Sequence, residues 1–236
     1  MKPIYEPKGK AKEYGDLALN IYTGCPHHCQ YCYAPGMLHK PREAFHSIVE
    51  PRSGIVEETR KQLEKEKITG KLIFLCFVCD PYPTGQDTST TREIIHLLKE
   101  HGNHVQILTK GDGRRDFDLL DGDDWYGVTL SCDTKLARER EPNAASPWTR
   151  LMCLQAAKER GIRTWVSFEP VLDEQYVLST LDCYHSLFDK VKIGKLNYYP
   201  SDIDWGVFGR TAEQVCKNRH IDYYIKDSLR AEMEKA

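Results

Sequence analysis

The run "LALNIYTGCPHHCQYC", Leu17 to Cys32, decides the fold. Its opening, "LALNIYT", is apolar and β-rich, as a strand buried in a parallel sheet is, and the remainder sets Cys25, Cys29 and Cys32 in one short loop. A strand that leads straight into a chemistry-bearing loop is the arrangement of parallel α/β proteins, whose sites lie at the carboxyl ends of the strands. Runs of the same kind recur along the chain: "KLIFLCFVC", "HVQILTK", "WYGVTLS", "RTWVSFEPVL", "KVKIGKL" and "DYYIKD". Amphipathic helical patterns alternate with them. They include "EETRKQLEKEK", "TTREIIHLLKEHG" with a Thr90/Glu93 capping box, and "SPWTRLMCLQAAKERG" with Ser146 as N-cap, Pro147 in the first turn and Gly161 at the end. No polar linker interrupts the alternation. It predicts an α/β fold, a partial (β/α)6 barrel of TIM type over about residues 17–196, closed by a short C-terminal extension, 197–236, with all 236 residues in a single domain.

Composition narrows the function. With 40% hydrophobic residues and a formal net charge of -2, the chain is not a globally basic nucleic-acid binder. "KGDGRR", Lys110 to Arg115, is the one stretch that offers a local phosphate patch. The N-terminal "MKPIYEPKGKAKEYGD" lacks the apolar core of a signal peptide, and no apolar run approaches membrane-spanning length, so a cytoplasmic protein without a membrane partner is expected. Nine cysteines are an odd number and no closed disulfide framework. Six of them are scattered and read as small buried hydrophobes, with no second array suited to an auxiliary cluster expected.

Three thiolates spaced C-x3-C-x2-C converge naturally on one metal centre. A structural zinc site would close with a fourth protein ligand, for which His27, His28 or His39 is available, and would make the chain a zinc-stabilised binding module. An iron-sulfur cubane held by three cysteines would leave one iron open to an outside ligand. The spacing favours the open cluster, and His27 and His28 then read as residues that shape the turn.

"CPHHCQYC", with Tyr31 before the last cysteine, resembles the C-x3-C-x-aromatic-C signature of the radical S-adenosylmethionine (radical SAM) superfamily. "CDPYPTGQ" (79–86), "LTKGDGRRDFDLL" (108–120) and "AREREPNAASPWTRLMCLQAAKERGI" (137–162) are similar to its spore photoproduct lyase-like, DNA-repair-photolyase-like branch, and the likeness runs over roughly Leu17 to Leu196. "SFEP" departs from that branch by placing Glu169 where a small residue is usual, and resembles a phage-associated group of the same superfamily. The resemblance implies a [4Fe-4S] cluster on Cys25, Cys29 and Cys32, with S-adenosyl-L-methionine on its open iron. It implies reductive cleavage to a 5'-deoxyadenosyl radical that takes a substrate hydrogen, and an electron donor such as flavodoxin or ferredoxin. It sets Tyr31, Asp80, Lys110, Ser131 and Glu169 about the cosubstrate, and gives Cys79, near the end of the second strand, the place of a hydrogen-atom donor.

The residues add their own reasons. Lys110 ends a strand, where an ammonium reaches a carboxylate or phosphate as a compact point charge. Glu169 suits a cationic partner and should be paired, since an unpaired buried carboxylate is costly. Lys192, Lys195, Tyr198, Tyr199 and Trp205 are candidates for the substrate end. A barrel lyase forming a Schiff base on Lys110 or Lys192 is a further class. The substrate expected is a nucleic acid or nucleotide, with a peptide or small molecule as the alternative.

Overall fold

The computed structural model describes residues 2–235. Eight strands form one sheet: β1 (Ile4–Tyr5), β2 (Leu17–Leu19), β3 (Leu72–Leu75), β4 (His104–Thr109), β5 (Trp125–Thr129), β6 (Arg163–Phe168), β7 (Lys190–Ile193) and β8 (Asp222–Ile225). β1 pairs antiparallel with β2, and β2 to β8 run parallel in chain order. Among the described residues β8 does not pair back to β2, so the sheet curves into a partial barrel and stays open. Between the strands run α1 (Ala34–Met37), α2 (Arg42–Ser47), α3 (Ile55–Glu66), α4 (Ser89–Glu100), α5 (Thr134–Arg140), α6 (Pro147–Glu159), α7 (Glu174–Cys183), α8 (Trp205–Asn218) and α9 (Asp227–Met233). No helix among the described residues is long and apolar enough to cross a membrane.

Alternation along the strands separates two environments. One face (Leu75, Ile107, Val128, Val166, Val191) merges with the helices into the main core. The other turns Ala18, Phe74 and Trp165 into a separate small cluster inside the curve of the sheet. Gly127 makes room for that filling, because a Cβ there would come within 2.2 Å of the Trp165 indole, whose Nε1 donates to the Ile107 carbonyl at 2.9 Å. The inside of the sheet is therefore plugged beneath its carboxyl ends, and the open volume lies above the plug.

Three local expectations meet the structure differently. Ser146 caps α6, accepting from the Thr149 amide at 3.0 Å, as its position predicts. The Thr90/Glu93 capping box does not form: α4 begins earlier in the chain, with Thr88 at its N-cap position, and Asp87 binds both the Ser89 amide and hydroxyl at 2.9 Å. The segment 197–236 does more than close the barrel, since α8 and β8 repeat the strand-helix alternation and add a seventh parallel strand.

Candidate functional site

The loop after β2 is held by backbone contacts with α2. Gly24 is required there, because a Cβ would sit 2.2 Å from the Phe45 carbonyl oxygen. The Cys25 amide then donates to that same carbonyl at 3.2 Å, and the Cys32 amide to Cys29 at 3.0 Å. His46 Nδ1 lies 2.7 Å from the Cys25 carbonyl, and Arg42 donates to the carbonyls of Cys29 and Cys32. His27 is fully engaged: its Nε2 accepts the Thr84 amide at 3.1 Å, and its Nδ1 faces Asp80 at 3.5 Å. That commitment, with burial lowering its pKa, keeps the ring neutral and makes it a strut between two loops. His28 stacks on His46 at 4.4 Å.

Cys25, Cys29 and Cys32 all line one cavity of about 520 Å³ at the carboxyl ends of the strands. Burial pushes all three thiols up, Cys25 well above the usual thiol range with Asp80 adding to the effect, and Cys29 to about 12. Thiols so desolvated ionise only when a cationic metal centre compensates them. Among the described residues the one group of three ligand atoms within 4.8 Å of one another is His104, Asp121 and Asp123, none of which lines this cavity. Three thiols on one cavity, with His27 committed to Thr84 and Asp80 rather than free as a fourth ligand, suit an iron-sulfur cluster whose separate irons each take one thiolate, one iron being left without a protein ligand.

The other predicted residues divide into two groups. Cys79, Asp80, Lys110, Tyr31 and Glu169 line the same cavity. Ser131 does not; it is buried behind Tyr31, 3.3 Å from the phenol oxygen. Asp80 is spent on structure: one oxygen accepts Thr109 Oγ1 and the Tyr82 amide, the other the Lys110 amide at 2.8 Å, tying the loop after β3 to the end of β4. Lys110 stands 5.4 Å from the Tyr31 ring centroid. Burial would pull its ammonium down, but negative charge at Cys29, when that sulfur is a thiolate, and at the Glu141 carboxylate shifts the group above the ordinary lysine range. Glu169 is paired, as expected: Lys226 Nζ donates to it at 2.6 Å, Tyr14 Oη at 2.7 Å and Asn197 Nδ2 at 3.3 Å.

Several of these groups are not singled out by the sequence. Glu141 accepts both Tyr31 and Arg150, and Arg150 Nη1 donates to the Thr129 carbonyl at 2.9 Å. A signal for them is present in "EPNAASPWTR", where opposite charges flank a helix N-cap. Cys76 also lines the cavity and makes with Cys79 a C-x2-C pair, contrary to the expectation of scattered thiols alone. Tyr14 and Lys226 carry no local sign. The phosphate patch expected at "KGDGRR" is absent as a free charge: Arg114 pairs with Asp112 at 2.5 Å, Arg115 with Asp116 at 2.8 Å, and Lys110 turns into the cavity. Neighbouring carboxylates neutralise the two arginines before any ligand can.

Comparison with known proteins agrees with this geometry. An uncharacterised protein of Methanocaldococcus jannaschii is 30% identical over 75% of this chain and 69% of its own length. An uncharacterised protein of Acidianus two-tailed virus is 31% identical over 70% of this chain, which spans 60% of that relative. Among solved structures, spore photoproduct lyase complexed with dinucleoside spore photoproduct superposes with a TM-score of 0.71 at 12% identity, covering 93% of this chain and 78% of that one. Streptococcus suis SuiB bound to S-adenosylmethionine gives 0.65 at 12% identity, over 92% of this chain and 49% of that one. Likenesses this low in identity speak for the fold alone. The family model described as "Radical SAM superfamily" matches residues 19–176, from β2 through the cysteine loop to the start of α7, and the chain belongs to that superfamily.

Proposed function

We propose that this radical SAM enzyme binds a [4Fe-4S] cluster through Cys25, Cys29 and Cys32 and acts on a nucleotide or nucleic-acid substrate. The observation that carries the reading is the convergence of three cysteines, Cys29 buried and Cys25 and Cys32 half-buried, on one cavity that also holds Lys110 and the paired Glu169. With S-adenosylmethionine on its open iron, the cluster supplies a 5'-deoxyadenosyl radical able to remove a substrate hydrogen atom. The chain's own residues do the rest. Lys110, kept charged, offers an ammonium to the cosubstrate carboxylate, and Glu169 offers an acceptor to its amino or sulfonium end. Apolar walls, Phe74 and Phe77 stacked at 4.2 Å among them, exclude water from the reacting volume. Cys79 lies on the wall where a thiol hydrogen is within reach of the cavity. An electron must come from a partner such as a reduced flavodoxin or ferredoxin.

The rim supports a nucleotide. Tyr198, 82% exposed, and the half-exposed Tyr33 offer faces for base stacking, while Lys8 and Lys10 flank the cavity with cations suited to phosphates. Lys10 Nζ already stands 5.3 Å above the Tyr198 ring. The solved lyase with its dinucleoside ligand has a related fold, which favours the same substrate class. The decisive experiment is anaerobic reconstitution with iron and sulfide analysis and chromatography of 5'-deoxyadenosine formed under a strong reductant. Wild type should retain iron and sulfide and release 5'-deoxyadenosine, and Cys29→Ala should lose both. Zinc without sulfide, or full cleavage by Cys29→Ala, overturns the assignment.

A further inference from the structure

At the end of β3 the chain turns through Cys76, whose φ of 75° lies in the left-handed region that non-glycine residues seldom enter. The turn is held by the Cys76 amide donating to the Leu19 carbonyl at 3.0 Å. It sets Cys76 and Cys79, three residues apart, on the same cavity wall. The two thiols differ in setting. Cys76 is buried, and burial pushes it well above the usual thiol range. Cys79 is partly exposed; burial pushes it up too, but hydrogen bonds from the Cys76 thiol and the Tyr22 amide, the latter at 3.4 Å, together with the charge of Arg52, bring it below the ordinary value. A half-buried sulfur on the same wall as a buried one three residues away suits the division of labour between an attacking and a resolving thiol.

We infer that Cys76 and Cys79 form a redox-active dithiol that exchanges with a disulfide entering the cavity. The Cys79 thiolate attacks one sulfur of R–S–S–R, a Cys79–S–S–R bond forms, and the first R–S⁻ leaves. The Cys76 thiol then gives up its proton and attacks the Cys79 sulfur, expelling the second R–S⁻ and closing the Cys76–Cys79 disulfide. Two electrons pass from the dithiol to the incoming disulfide, which is reduced to two thiols. The dithiol shares the cavity proposed for S-adenosylmethionine, but neither step of the exchange uses the cluster or the cosubstrate.

The test titrates anaerobically reconstituted protein against glutathione and glutathione disulfide at graded ratios, with acid quenching, alkylation and peptide mass analysis. Trypsin releases residues 72–92, "LIFLCFVCDPYPTGQDTSTTR", which carry both cysteines and no other. The expected result is one cooperative conversion of this peptide from the doubly alkylated form to an unalkylated form lacking two hydrogens. Cys76→Ser should instead accumulate glutathione on Cys79, at least about tenfold above wild type, because nothing resolves the mixed disulfide. A wild-type peptide that stays doubly alkylated at every ratio overturns the inference. So does a wild-type protein that keeps as much Cys79-bound glutathione as Cys76→Ser. Both readouts are masses of thiols, so they can fail while cleavage of S-adenosylmethionine stands, and the reverse.

Discussion

At one wall of the cavity Tyr31 and Arg150 both donate to Glu141, and at the end of β6 Tyr14 and Lys226 both donate to Glu169, each set a phenol and a cation on one carboxylate. Access separates them. Glu141 and Arg150 are buried and off the cavity lining, whereas Glu169 and Lys226 belong to it. Sequence distance separates them only at the cation: Arg150 lies nine residues from Glu141 and Lys226 lies 57 from Glu169, while both tyrosines are distant, Tyr31 by 110 residues and Tyr14 by 155. The dry network fixes the aromatic residue of the cysteine loop to the first turn of α6. The wet one leaves Glu169 Oε1 with a single long contact from Asn197, an acceptor still able to take a ligand donor. Similar chemistry is thus enclosed in one place and left on the cavity lining in the other.

Arg150→Met breaks the dry network and has the largest expected effect. It strands the Glu141 carboxylate, and stability should fall by about 3–5 kcal/mol in urea titration, with most of the loss regained in Glu141→Leu/Arg150→Met. A loss below about 1 kcal/mol would deny the network its bracing role.

Lys192 tests the wet side. It sits beside Tyr14, 4.7 Å from the ring centroid, and donates to the Glu13 carbonyl at 2.5 Å. Burial, with Lys190 and Lys226 nearby, lowers its pKa from 10.5 to about 8. Below the folded value both states hold the proton and the burial penalty is complete. Between the folded and unfolded values the unfolded chain alone keeps it, so stability rises with pH across that window, by on the order of 2–3 kcal/mol from this group. The wild type minus Lys192→Met difference, measured by denaturation from pH 7 to 10.5, should grow in the wild type's favour; a flat difference counts against the burial cost.

Glu169→Gln sharpens the contrast, since it keeps the size of the side chain while removing its charge. Affinity for S-adenosylmethionine in equilibrium dialysis should weaken about tenfold, near 1.4 kcal/mol. Unchanged affinity would return Glu169 to a structural part. Ser146→Ala is the smallest probe: it uncaps the helix that carries Arg150 and should cost about 1 kcal/mol in the same urea titration, with S-adenosylmethionine binding unaltered.

Much of this architecture is legible in the chain. Strand runs such as "HVQILTK" and the Ser146 cap are local matters of periodicity and hydrogen bonding, and the cysteine spacing places three thiols within one loop whatever surrounds it. The charge pairs at "KGDGRR" are local too, with Asp112 two residues from Arg114, and a basic run counted without its acidic neighbours hides them. Ser131 shows the opposite limit: its place just beyond β5 says that it lies near the site, but the packing of Tyr31 decides that it stands behind the wall.

The sequence by itself determined the α/β alternation, the cysteine loop after the first parallel strand and the membership of a radical SAM fold, because each depends on residues a few positions apart. Only the tertiary structure decided which carboxylate is braced and which is open, and that Tyr14 and Lys226 belong to the site at all. It also placed the Cys76 and Cys79 sulfurs on the same cavity as the cysteine loop. Those outcomes depend on the curvature of the sheet, which brings the carboxyl ends of distant strands to one volume and so sets which side chains lie behind its wall and which line it.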